Sequence, residues 1–249
     1  MPYAEPPKSD KFISVVTQFK TLPDPYTVRT NVNKATGEIH RTYFYKRKAC
    51  YRVVLDSPLA KQLAGYTLIE KDLRSALIWI EKIAALADPR PAEQRAYFGQ
   101  GKDRETYNII KGLMVATLTF YGKCFAKTGA RRIKLERSQL DPRFHKIHDN
   151  VMEYRHNFAA HSGDSPIERV EIALVFPQNP RTIAEPNLYR ELMQPDHIES
   201  SNGQIQTKEL IEHVQSFVNQ KINFLIEKIL REEVAPPGRE GWTKKARGG

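Results

Sequence analysis

Cysteine is nearly absent from this chain of 249 residues, with Cys50 and Cys124 the only two. Two widely spaced thiols make neither a disulfide framework nor a metal-ligand pattern, so a reducing compartment is expected. No apolar run approaches the roughly 20 residues of a membrane span. The opening Met1-Pro-Tyr-Ala-Glu-Pro-Pro-Lys-Ser-Asp lacks the basic and apolar regions of a signal peptide. A cytoplasmic protein with no membrane partner is therefore expected. Phosphate-binding loops, dinucleotide fingerprints and zinc-protease histidine pairs are missing, as is a Gly-x-Ser-x-Gly elbow. These absences weaken nucleotide-driven and hydrolase readings, and no cofactor is expected.

Acidic residues are the minority charge. The chain has 39 Lys or Arg against 29 Asp or Glu, a net charge of +10 and a pI near 9.5. Such an excess favours a polyanionic partner, RNA or DNA before an acidic membrane surface. A basic protein with no such partner would show the same charge.

Residues 1–25 are polar and Pro-rich, with one short apolar stretch at Phe12–Val16. Alternation at Tyr26, Val28, Thr30 and Val32, then turn chemistry at Asn33–Gly37 and a β-rich stretch from Ile39 to Val54, predicts a β-hairpin. Four apolar stripes at helical spacing follow. The first is opened by a Thr67/Glu70 capping box and carries Ile69, Leu73, Ala76, Ile80 and Ile83. The second, Arg104 to Ala126, carries Ile110, Met114, Thr117, Tyr121 and Cys124. The third opens at Asp141-Pro142, carries Phe144, Ile147, Val151, Tyr154 and Phe158, and closes at Ser162-Gly163-Asp164. The fourth has Thr207 as N-cap and is ended by Pro236-Pro237-Gly238. Between the last two lie a short strand, Val170–Phe176, and a loop to about Gly203. The expected fold is mainly α, an antiparallel four-helix bundle with an N-terminal β-hairpin and a short additional strand. The expected organisation is an arm and hairpin over 1–60, a bundle over 67–233 and a flexible basic tail over 234–249.

The third helix carries the candidate chemistry. Arg155 and His161 are six residues apart, about 9 Å along a helix and about 120° apart around it. One ideal helix does not bring them together. Unwinding at His161, or a second copy across a two-fold axis, would. His161 in a final turn is favoured in its protonated form by the helix dipole and can act as general acid or base. Arg155 offers a planar fork for phosphate. His156 or Asn157 can hold a sugar hydroxyl or orient the phosphate. The plainer alternative is that these side chains solvate a helix end.

The stretch Glu153–Gly163 resembles the signature of the HEPN superfamily: an Arg, a polar residue, a short spacer and a His. Arg155, His156 and His161 fall on those positions. Phe120-Tyr121, Phe125, the basic connector, Leu140-Asp141-Pro142 and His148 fit the preceding pattern. The resemblance covers roughly residues 67–233 and is greatest to abortive-infection-like and uncharacterised bacterial branches. It implies an HEPN-like bundle that forms a homodimer with a shared cleft. In active members that cleft is a metal-independent endoribonuclease, leaving a 2′,3′-cyclic phosphate. The implied roles are proton transfer for His161, transition-state phosphate binding for Arg155 and positioning for His156. A toxin or phage-defence effector, with an antitoxin or regulatory protein as partner, fits this implication. The alternative is a non-catalytic module binding RNA, a nucleotide or a protein.

Eight cations, Lys123, Lys127, Arg131, Arg132, Lys134, Arg137, Arg143 and Lys146, precede the motif against Glu136 and Asp141. Such a run suits a phosphate-tracking rim for RNA, or else a solvated loop. With Asn157, all of them except Arg137 are the expected RNA-binding residues. A second mixture, Arg41–Arg52, interleaves aromatics with cations and can stack bases. A strand with one packed aromatic face is the favoured reading there. His145 and His148, at i and i+3, lack a third metal ligand, so no metal is expected.

Overall fold

The computed structural model describes residues 12–17, 25–86, 104–127, 131–156, 169–179, 183–193 and 201–248. Their contacts divide the chain into two compact units, residues 57–228 and residues 1–56 together with 229–249.

The first unit is helical at its centre. Helix α1 is Pro58–Leu86 and α2 is Arg104–Phe125. A short α3, His145–Tyr154, follows a 3₁₀ turn at Pro142–Phe144, and α4 is Ser201–Ile229. The predicted stripes meet as one core: Ile69, Leu73 and Ile83 of α1, Met114 and Tyr121 of α2, Val151 of α3, and Leu210, Val214 and Val218 of α4. Each such side chain contributes on the order of 1.5–3 kcal/mol on burial. Leu135 and Leu140, from the basic connector between the second and third stripes, are also buried in this cluster.

Two helix starts differ from expectation. Helix α1 begins at Pro58, where Ser57 Oγ accepts from Ala60 N–H at 3.1 Å. Thr67 lies inside it and donates to the Leu63 carbonyl, the back-bond of a mid-helix threonine. Helix α4 begins at Ser201, six residues before Thr207, which is buried.

The expected additional strand, β5 (Arg169–Val175), pairs antiparallel with β6 (Asn187–Met193) in the segment read as loop. Val170, Ile172, Leu174, Leu188 and Leu192 share one face of this hairpin and are exposed.

The second unit extends the expected hairpin to a four-stranded antiparallel sheet in the order β1-β2-β3-β4. The strands are β1 (Phe12–Thr17), β2 (Tyr26–Asn33), β3 (Ile39–Tyr45) and β4 (Lys48–Ala49). Asn33 Oδ1 accepts from Ala35 N–H at 2.9 Å, and Gly37 takes φ 70° to close the β2–β3 turn. The tail expected to be flexible is instead helical. Helix α5, Gly238–Gly248, anchors through Trp242 Nε1–H on the Val234 carbonyl at 2.8 Å and Arg247 on the Tyr51 hydroxyl at 3.0 Å.

Candidate functional site

Helix α3 is clasped at its start. Asp141 caps the 3₁₀ turn that leads into it by accepting from Arg143 N–H, while Asp141 N–H donates to His213 Nε2 at 3.2 Å. The His213 ring stacks on Phe144 with centroids 4.7 Å apart. One turn on, Arg137 grips Asp149 with two bonds of 2.7 Å, the bidentate pairing of guanidinium and carboxylate. That hydrogen bond holds the Asp149 carboxyl below the usual carboxylate range. Arg137 also lies 3.0 Å from His145 Nδ1. Because a guanidinium only donates, Nδ1 accepts, and Nε2–H of His145 donates to the Leu140 carbonyl at 3.2 Å.

His148 faces the other way, into the core. Its Nδ1 is 2.7 Å from the Tyr121 hydroxyl, and its ring lies 4.5 Å from that of Phe125. Burial is the main cause pushing the His148 pKa below its ordinary value. Burial likewise raises the Tyr121 hydroxyl, which stays protonated and donates. His145 and His148 therefore serve different networks. Among the described residues, no group of three or more His, Cys, Asp or Glu is placed to hold a metal ion.

Arg155 follows His148 by seven residues, two helical turns, so both point to the α2 side of α3. It is half-buried and begins a short π-type turn, Arg155–His156. Its side chain crosses α2 directly over Gly122. A Cβ on Gly122 would overlap Arg155 Cδ and stand 2.5 Å from Nε. Glycine is costly inside a helix by about 1 kcal/mol relative to alanine. At Gly122 that cost secures a channel for the arginine stem. His156 is exposed. Asn157 and His161 lie outside the described residues, as does Phe158 of the predicted stripe.

The predicted basic rim separates into three groups. Arg131 is a correction: it is buried, paired with Asp72 of α1, and donates to the Lys123 carbonyl at 3.0 Å. A buried guanidinium bound to a carboxylate is not a surface phosphate ligand. Asp72 gathers two further cations, with Lys71 Nζ at 2.9 Å from Oδ1 and Lys123 Nζ at 3.8 Å from Oδ2. The Lys71 contact is an ion pair rather than an aligned hydrogen bond, since Oδ1 makes none. Lys123 also sits 4.5 Å over the Phe120 ring. Burial pushes the neighbouring Cys124 thiol up to about 12, so it serves as a core residue.

Lys127, Arg132 and Lys134 are exposed, and Lys134 pairs with Glu136 at 3.0 Å. Arg143 and Lys146 line a groove of about 750 Å³ between α3 and α4, with Asn150 opposite Glu209, Glu212 and His213. Lys146 and Asn150 lie on the opposite side of α3 from His148 and Arg155. The groove and the Arg155 site are thus separate, and the groove's cations face two carboxylates.

Gly122, beside Arg155, and Tyr121, beside His148, have no counterpart among the predicted site residues. Tyr121 read as one more apolar stripe position. Gly122 lies in the last turn of α2, and its close approach to Arg155 was not legible from the glycine alone, since Gly112 of the same helix has nothing within 4 Å of an added Cβ.

No family model, curated protein or solved structure matches this chain.

Proposed function

We propose that this chain is a metal-independent endoribonuclease of HEPN type, acting as a homodimer in which two antiparallel bundles present their α3 ends to one cleft. The observation that carries the reading is Arg155, seated over Gly122 at the end of α3 within the Arg155-His156-…-His161 pattern. Packing of its stem lowers the entropy lost when the guanidinium engages a phosphate.

In this reading His161 takes the proton from an RNA 2′-hydroxyl, and the 2′-oxygen attacks the adjacent phosphorus. The bond from phosphorus to the 5′-oxygen breaks, and that oxygen leaves with a proton taken from solvent water. A 2′,3′-cyclic phosphate and a 5′-hydroxyl result. Arg155 stabilises the added negative charge on the phosphoryl oxygens, and His156 and Asn157 orient the phosphate or ribose. Lys123, Lys127, Arg132 and Lys134 contribute the nearby positive field.

The test is incubation of the purified protein with a broad RNA panel in excess EDTA. Cleavage to cyclic-phosphate ends is expected, with loss in both Arg155→Ala and His161→Ala. Failure to cut any RNA, or equal cutting by His161→Ala, refutes the reading. RNA binding without cleavage would identify a non-catalytic HEPN module instead.

A further inference from the structure

Much of the chain's positive charge lies outside the helical unit. Residues 1–56 and 229–249 hold fifteen Lys or Arg against eight Asp or Glu, a net +7 of the chain's +10. From Ile39 to Leu55 there are five cations and no acidic residue. The densest part is the two-residue turn joining β3 to β4.

That turn has an unusual backbone for its residues. Lys46 has φ 46° and Arg47 φ 65°, while Tyr45 and Lys48 pair across it. Two consecutive left-handed residues make the type I′ geometry that fits hairpin twist. Asn and Gly suit those positions, and long side chains bearing a Cβ do not. Strained backbone of this kind is a pointer to function. Here it holds three successive cations, Lys46, Arg47 and Lys48, at an exposed tip.

Aromatic rings sit beside them. Tyr26 of β2 pairs directly with Tyr45 of β3, which pairs with Lys48 of β4, so the three form one row on one sheet face. The tyrosine rings are 4.8 Å apart, and the Lys46 amine lies 5.7 Å over Tyr45. Tyr26 and Tyr45 remain 42% and 41% exposed, whereas Val28, on the same face two residues on, is 1% exposed. The face is thus anchored at Val28 and open at its tyrosine end. Lys46 N–H donates to the Pro25 carbonyl at 3.3 Å, which ties the turn to the start of β2.

We propose that this tip is a binding site for single-stranded RNA, in which Tyr26 and Tyr45 stack on bases and Lys46, Arg47 and Lys48 contact successive phosphates. Aromatic faces with interleaved cations are the two components of sequence-tolerant single-strand binding. A purely electrostatic membrane contact would not use a paired tyrosine platform. The proposal does not depend on nuclease activity. Combined with that activity, it makes the sheet the part that recruits substrate.

The test uses the full chain carrying Arg155→Ala, so RNA survives whether or not the parent is a nuclease. Fluorescence anisotropy of a labelled oligouridine is followed across a salt series. A turn variant, Lys46→Asn with Arg47→Gly, removes two cations and supplies the residues that the turn prefers. It is expected to melt no lower than the parent, yet to bind about tenfold or more weaker at low salt. Its log–log salt slope should fall by about 1.4, two phosphates' worth on a single strand. Tyr26→Ala with Tyr45→Ala is expected to weaken binding about tenfold or more with the slope unchanged. Should the tyrosine variant unfold, the turn variant decides alone. A turn variant that binds like the parent with the same slope overturns the proposal. So does a parent that fails to bind oligouridine, including one that binds phosphatidylserine vesicles instead.

Discussion

Gly122 of α2 and Arg155 at the end of α3 share one volume: the arginine stem lies where any side chain at Gly122 would go. Gly122→Ala should therefore displace Arg155 rather than simply improve helix propensity. Under the proposed ribonuclease function, RNA cleavage is expected to drop at least tenfold, approaching the level of Arg155→Ala. Adding Gly122→Ala to an Arg155→Ala background removes the clash and leaves only the propensity gain of about 1 kcal/mol. The double-mutant cycle by urea denaturation should show this sign reversal. If Gly122→Ala stabilises equally with and without the arginine, the packing is not what fixes Arg155.

The Asp72 cluster ties three parts of the helical unit together. Arg131 brings the α2–α3 connector onto α1, and Gly65 makes room, since a Cβ there would stand 2.6 Å from the Arg131 carbonyl oxygen. Asp72→Ala strands a buried guanidinium, a loss of about 3–5 kcal/mol in comparable pairs. Asp72→Leu combined with Arg131→Met should cost less than Asp72→Ala alone. Urea midpoints of the single and double variants check this order. Equal stability of Asp72→Ala and the parent would contradict the cluster's structural role.

His148 gives the fold a defined pH response. Burial lowers its folded-state pKa, with Arg137 and His145 adding to the lowering and Asp149 opposing it. Its ordinary value is near 6.5, so below that pH the unfolded chain binds a proton that the folded chain refuses. Stability from this group is complete above about pH 6.5 and declines as pH falls toward the folded pKa. The Asp149–Arg137 pair acts in a lower window, because a depressed carboxyl loses its contribution only as the carboxylate protonates. His148→Gln keeps an acceptor for Tyr121 and removes the titration. The difference in Tm between parent and variant, scanned from pH 7.5 to 5.0, should shrink as pH falls. A constant difference would mean that His148 titrates alike in both states.

Helix stripes were legible because apolar spacing reports directly on burial: Ile69, Leu73 and Ile83 are all in the core. Helix starts were less so. Thr67 and Glu70 match a capping box in spacing, yet the chain is already helical from Pro58, capped by Ser57. The His148–Arg155 register followed from heptad spacing alone, whereas the burial of Arg131 did not. Its partner, Asp72, is 59 residues earlier in the chain, and only tertiary packing joins them. Strand β6 went unread because Asn187-Leu-Tyr-Arg-Glu-Leu-Met mixes polar and apolar residues without a buried face to impose alternation. The aromatic row of Tyr26 and Tyr45 required strand register, which local sequence does not supply.

The C-terminal segment illustrates the same limit and can be tested directly. Gly, Lys and Arg in Gly238–Gly248 read as a solvated tail, but Trp242 gives the segment one apolar anchor. It lines a cavity of about 350 Å³ with Tyr51, Val53, Leu55 and Val234. Arg247 reaches back to the Tyr51 hydroxyl, so the last helix and the chain leaving β4 belong to one unit. Deleting residues 238–249 should therefore loosen the sheet. Faster hydrogen exchange is expected in Tyr26–Asn33 and Ile39–Tyr45, while amides of α1 and α4 in the helical core keep their protection. Trp242→Ala should give the same pattern more weakly, since it removes the ring and its bond to Val234 but leaves Arg247 in place. Unchanged exchange in both strands after the deletion would show that the segment contributes nothing to the sheet's stability.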